Sequence, residues 1–184
     1  MKETIKYVLI VVIITGLCGC KNDKGSSPSE QEKIVSFIPS GAPVDNSAYL
    51  QEISSDGDKI TLGINVKGGL DVYGASLEIT YDGEIVSFDT FNVNGNYLGI
   101  SQGDCIAKLY QDKPGILLLG IGKTGNVPGT DGDGTMVNVI FKALAVQYNT
   151  PIGFNTTNSY LKSSNTSNPN IESTAWFGGR LSYW

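Results

Sequence analysis

Few residues in this chain could carry chemistry, and one type is missing altogether. The 184 residues include no histidine, which excludes Ser-His-Asp and Cys-His catalysis and every histidine-ligated metal site. Gly129-Thr-Asp131-Gly-Asp133-Gly134 has the look of a calcium loop. An EF-hand loop opening at Asp131 needs an oxygen ligand at position five and a glutamate at position twelve. Those positions hold Thr135 and Lys142, and no helix is expected on either side. The segment therefore reads as a Gly-Asp turn entering a strand. Asp82 and Glu84 are close enough in sequence to raise the idea of a glycosidase acid/base pair. They flank a turn, where carboxylates are solvated, and no catalytic residue is assigned. Cys105 as a nucleophile would need an activating base; it reads instead as a small hydrophobe in a strand. Tyr97, Tyr110, Trp176 and Trp184 supply flat rings that could stack on a sugar, and strand alternation sets Trp176 opposite Ala175 and Phe177. No metal or cofactor is expected.

The N-terminus carries an address. Lys2 and Lys6 precede an apolar run from Tyr7 to Ile14, shorter than the roughly 18 residues a membrane-spanning helix needs, so it reads as an export signal. Its end, Leu17-Cys18-Gly19-Cys20, resembles the lipobox of bacterial lipoproteins, which implies lipid attachment at Cys20 and removal of residues 1–19. Cleavage there would leave 165 of the 184 residues. It would take away Lys2, Glu3 and Lys6, leaving 11 basic residues against 17 acidic, a formal charge of −6. Cys105 would be the only remaining thiol, so no intramolecular disulfide is expected. The acidic balance argues against nucleic acid as a partner. The membrane is met through the lipid alone. By analogy with enteric lipoproteins, Lys21 beside the lipidated cysteine favours an outer-membrane destination in a Gram-negative host. Residues 20–33 form a Ser-, Gly- and Pro-containing tether, and the folded domain is expected over residues 34–184.

The elements that would position any functional side chain are strands. Ile60, Leu62, Ile64 and Val66 alternate with polar or small residues, and Gly68-Gly69 closes the run. Ala75, Leu77, Ile79 and Tyr81 repeat the pattern, and Asp82-Gly83 marks a turn. Short strands follow over Glu84–Phe88, Cys105–Tyr110 and Ile116–Ile121, the last two joined by Asp112-Lys113-Pro114-Gly115, a hairpin signal. Val137, Val139, Phe141 and Ala143 form another inward row, and Ala175, Phe177, Leu181 and Tyr183 share a face. Residues 155–170 read as a long loop with one short strand. Many short strands with one apolar face each imply two antiparallel sheets packed together. The expected fold is all-β, an antiparallel β-sandwich.

With that order of strands, the chain resembles the cohesin domain, a β-sandwich module of cellulosome scaffoldins. The resemblance rests on Lys59–Lys67, on Val72–Asp82 ending in Tyr81-Asp82, on Glu84-Ile-Val-Ser-Phe88, on Gly132–Lys142, and on Gly178-Gly179 before Leu181. It implies a jelly roll of about nine strands and a non-catalytic module that binds a dockerin, a small calcium-dependent helical module on a partner. In the best-known class the Tyr-Asp strand presents an outward Asn and Asp. Those positions fall on Gly74 and Ser76, so neither anchor is present. Tyr110 matches a tyrosine that precedes the central hairpin. The expected partner-binding residues are thus Gly74, Ser76, Glu78 and Tyr110, for a dockerin-like protein in a polysaccharide-degrading assembly. Carbohydrate-binding modules share the sandwich, so a polysaccharide stacked on Trp176 is the alternative. A plain structural spacer is the third.

Overall fold

The computed structural model describes residues 34–93, 97–99 and 105–184. The expected signal segment, Cys20 and the tether lie outside the described residues. Eleven strands are present in the described part: β1 Val35–Pro39, β2 Ser47–Asp56, β3 Lys59–Tyr81, β4 Val86–Asn92, β5 Cys105–Lys113, β6 Ile116–Lys123, β7 Thr130–Ala143, β8 Gln147–Phe154, β9 Tyr160–Ser163, β10 Ala175–Phe177 and β11 Gly179–Tyr183. The fold is the all-β sandwich expected, and the described residues hold two strands more than the roughly nine that the resemblance implies.

The strand β3 organises both layers. Its first half pairs with β2 and β7, and β2 and β7 are flanked in turn by β10 and β4. Its second half pairs with β6 on one side and with β9 and β8 on the other; β5 extends one edge, and β11 and β1 the other. The pair β10–β2 is parallel, against the purely antiparallel expectation. From the two layers, Leu62, Ile64 and Val139 meet Leu77, Ile79, Leu117 and Leu119, all buried in one core. Each such side chain contributes about 1.5–3 kcal/mol by leaving water.

The sequence divides β3 at Gly68-Gly69, but the strand runs on as one element of 23 residues. It crosses between layers through register shifts at Val66, Gly69 and Val72, and such bulges bend a strand and leave amides unpaired. Gly68 (φ 56°) and Asp71 (φ 53°) adopt the left-handed conformation there. The freed amides find new acceptors: the Gly68 N–H donates to Asp133 Oδ1 at 2.7 Å and the Asp71 N–H to Asp131 Oδ1 at 2.7 Å. The two aspartates of the apparent calcium loop therefore cap a bulge. Among the described residues no group of three or more acidic or cysteine side chains is arranged to hold a metal ion.

Asp71 closes the same region with its own carboxylate. It accepts from the Gly129 N–H (2.9 Å), the Ser164 N–H (3.0 Å) and the Ser164 hydroxyl (2.7 Å). The Ser164 hydroxyl first, then the Gly129 amide, hold its carboxyl below the ordinary value of 3.8. A carboxyl whose folded value lies below its unfolded one stabilises fully above the unfolded value, and that contribution is lost as pH falls through the folded value. The urea midpoint of the parent chain should accordingly drop more steeply below about pH 4 than that of Asp71→Asn. Parallel acid limbs for the two chains would contradict this role.

Two groupings differ from the sequence reading. Ala175 and Phe177 lie on β10 against β2, whereas Leu181 and Tyr183 lie on β11 in the other layer. The chain changes layer at Gly178, where a Cβ would stand 2.5 Å from the Ile152 carbonyl oxygen. Residues 84 and 85 belong to a turn, and β4 starts at Val86.

Candidate functional site

Alternation along β3 sends Ala75, Leu77 and Ile79 into the core, which leaves Gly74, Ser76, Glu78 and Thr80 on the outer face. Register then fixes their neighbours. Ser76 lies beside Gly120 of β6 and Tyr160 of β9, and Glu78 lies beside Leu118. On β5, Lys108 pairs with Gly120 and Tyr110 with Leu118. The result is an open face of four strands with a shallow depression lined by Ser76, Glu78, Lys108, Tyr110, Leu118 and Gly120. Tyr110 is 56 % exposed, and Ile106 and Leu118 add apolar side chains to the same face. Nothing lies within 4 Å of a Cβ built on Gly120, so the floor between Ser76 and Lys108 is open.

The four residues expected at a binding surface occupy different situations. Ser76 and Tyr110 point outward and are exposed. Gly74 is buried, and a Cβ there would stand 2.4 Å from the Ile121 carbonyl oxygen; this position offers no side chain and admits none without strand movement. Glu78 is half-buried and already engaged. Its carboxylate accepts from the side-chain amides of Asn155 and Asn158, each at 2.8 Å, and its main-chain carbonyl from the Asn155 N–H at 2.8 Å. The Asn155 amide first, then Asn158, hold its carboxyl below the usual range. Glu78 fixes the β8–β9 turn as the rim of the face and still presents a negative charge beside Lys108.

The sequence reading omitted Leu118, Gly120, Lys108 and Ile106. Three consecutive leucines, Leu117 to Leu119, conceal which one points outward. The signal available was Gly120 and Gly122, spaced by two and alternating with the core positions Leu119 and Ile121.

The aromatic candidates separate in the same way. Tyr97 is buried, and its hydroxyl donates to the Thr130 carbonyl at 2.9 Å. Burial pushes its phenol up to about 12, with the nearby Asp131 and Asp133 carboxylates adding to the shift. Trp176 packs on Phe154, centroids 5.1 Å apart and planes at 53°, and its remaining surface lines a polar hollow with Tyr160, Asn170, Glu172 and Thr174. Trp184 is exposed and stacks on Tyr148. Cys105 opens β5 partly buried against the core, and burial raises its thiol above the ordinary value, which keeps it protonated and a poor nucleophile.

Comparison with solved structures finds the same architecture in cellulosomal modules. A type II cohesin domain from the cellulosome of Acetivibrio cellulolyticus superposes with a TM-score of 0.55 at 18% identity, over 74% of this chain and 93% of that one. The second type II cohesin module of the ScaA scaffoldin from the same organism gives 0.59 at 17% identity, over 74% and 89%. A type II Cohesin-X-Dockerin complex from Acetivibrio cellulolyticus contains a chain that matches at 0.56 and 17% identity, over 71% and 96%. No curated protein sequence matches. The family model described as the cohesin domain matches residues 52–179, which takes in β3 to β10 and every strand of the outer face described above, and this chain therefore belongs to the cohesin family.

Proposed function

We propose that this chain is a lipid-tethered, non-catalytic docking module that holds a dockerin-like protein on the outer face of β5, β6, β3 and β9. One observation carries the reading. In a member of the cohesin family, the open face has a glycine-floored depression between exposed apolar side chains and a fixed acidic rim. Such a face has a centre that can be desolvated and a polar border, and the strands beneath it are rigid, so little ordering is needed on binding. Cys20 is the proposed lipid attachment, with residues 20–33 as tether and the outer membrane as the destination in a Gram-negative host. The absence of side chains at position 74 and of a carboxylate at position 76 implies a partner that relies on apolar packing more than on polar anchors.

Polysaccharide binding is the second reading, favoured by the hollow that Trp176 shares with Tyr160, Asn170 and Glu172. A capture experiment separates the two. The chain, immobilised and exposed to host proteins with calcium or with a chelator, should retain a dockerin-bearing protein only when calcium is present. Retention on insoluble polysaccharide without protein capture would move the function to the Trp176 hollow. Neither form of retention would sink both readings and leave a spacer.

A further inference from the structure

An aromatic and aliphatic patch lies where the chain enters the domain, away from the docking depression. Ile34 and Trp184 are joined through their backbones, the Ile34 N–H donating to the Trp184 carbonyl at 2.9 Å and the Trp184 N–H to the Ile34 carbonyl at 3.3 Å. The Trp184 ring stacks on Tyr148, centroids 6.2 Å apart and planes 12° from parallel. All three side chains stay in water: Tyr148 is 60 % exposed, Trp184 45 % and Ile34 44 %. Leu144 and Val146, in the segment that leads into β8, are exposed as well. A paired Tyr and Trp with a free apolar surface is poorly placed in bulk water and well placed at a lipid headgroup boundary, where both rings are favoured.

The covalent order of the chain says what can reach this patch. Residues 20–33 hold no large apolar side chain, so the segment that precedes Ile34 has nothing with which to cover it. The same fourteen residues can span at most about 50 Å. If Cys20 bears lipid, the membrane surface is thus held within one domain length of Ile34. We infer that the Ile34–Tyr148–Trp184 patch seats the domain on a zwitterionic phospholipid surface, an inference that rests on the proposed lipid attachment. Each contact would be weak alone, and the anchor makes it intramolecular. Lipid charge matters because Gln147, Ile60 and Ile85 border one small hollow at this end. The adjoining turn brings Asp82 and Glu84 to the same end, where they would repel an anionic surface, whereas Asp58 is paired with Lys142 at 3.4 Å.

Tryptophan emission of the full lipidated chain in phosphatidylcholine vesicles tests this, with brominated acyl chains as the quencher. The chain has two tryptophans, so seating Trp184 at the interface should lower total emission roughly twofold. The quenching should survive Trp176→Phe, vanish with Trp184→Phe, weaken with Tyr148→Ser, and weaken when phosphatidylglycerol replaces part of the lipid. Near-UV circular dichroism checks that each variant keeps its packing. A chain that floats with the vesicles yet keeps full emission overturns the seating and leaves the anchor standing. A chain that does not float overturns the anchor, and the seating with it. Self-association in sedimentation that is abolished by Tyr148→Ser, with no quenching, would assign the patch to a second copy and overturn the lipid contact.

Discussion

A chain carrying Gly120→Arg should unfold at the same urea concentration as the parent and bind its captured partner about thirtyfold or more weakly, the loss expected when a central contact worth about 2 kcal/mol is removed. The substitution is chosen because the folded state can accept it. Gly120 is exposed, its backbone is not in the left-handed region, and no atom lies within 4 Å of the added Cβ. The long side chain would then stand over the depression between Ser76 and Lys108, fill the space a partner needs, and add a cation beside one already present. Titration calorimetry with the purified partner reads the affinity, and a denaturant curve reads the fold. Unchanged affinity with an unchanged midpoint would place docking on some other surface.

Phe141→Ala should cost about 3–5 kcal/mol of folding free energy, the range for truncating a buried aromatic side chain that leaves a cavity behind. Phe141 is 1 % exposed. Its ring meets Tyr81 edge-on at 5.2 Å and 69°, a contact that adds about 0.5–1.5 kcal/mol beyond area burial. It also couples the layers, since β7 carries it in one sheet and the end of β3 that bears Tyr81 lies in the other. Truncation would enlarge the small hollow already beside it, lined by Val35, Ile60 and Leu181. Equilibrium unfolding followed by far-ultraviolet circular dichroism gives the number. A loss under about 1 kcal/mol would mean that this end of the core collapses onto the gap or is packed differently.

The strands that alternate cleanly were legible because one face is buried and the other wet. Ala75 to Tyr81 and Val137 to Ala143 follow that rule, while Ile60 to Val66 alternates in residue type although Gly63 and Asn65 are buried as well. β2 and β8 escaped notice for opposite reasons. In β2, Ser47, Ala48 and Leu50 are the buried residues, and the register shifts between Glu52 and Ser54 while the rest of the strand extends past the core. In β8, only Thr150 and Ile152 are buried, and Pro151 sits between them. Polar inward residues erase the period on which the reading depends. The continuation of β3 through Gly68-Gly69 was also out of reach, because the carboxylates that cap its bulge come from Asp131 and Asp133, 60 and 65 positions from the amides they accept from.

The candidate site followed the same division. Ser76 and Tyr110 were placed outward by alternation and resemblance together, and the structure puts both on one face. Glu78 read as a free anchor because nothing in its own strand reveals the partners Asn155 and Asn158. Its hydrogen bonds are tertiary, and local pattern carries no trace of them. Trp176 was assigned the face opposite Ala175 and Phe177, but its partner Phe154 belongs to another strand, and that contact removes one face of the ring from any stacking role.

The passage of β3 through both layers bears on how such a chain is made. Its edges are satisfied by strands that begin at Ser47 and end at Ser163, so most of the polypeptide must be synthesised before its hydrogen bonds can close. A fold dominated by pairings this distant in sequence forms on roughly the millisecond-to-second scale, and neither half of the sandwich can mature while the other waits. During that interval the edges of β3 stay unpaired and open to strands of other chains. The feature that unites the two layers in the finished molecule thus also leaves the half-made chain prone to pair with its neighbours.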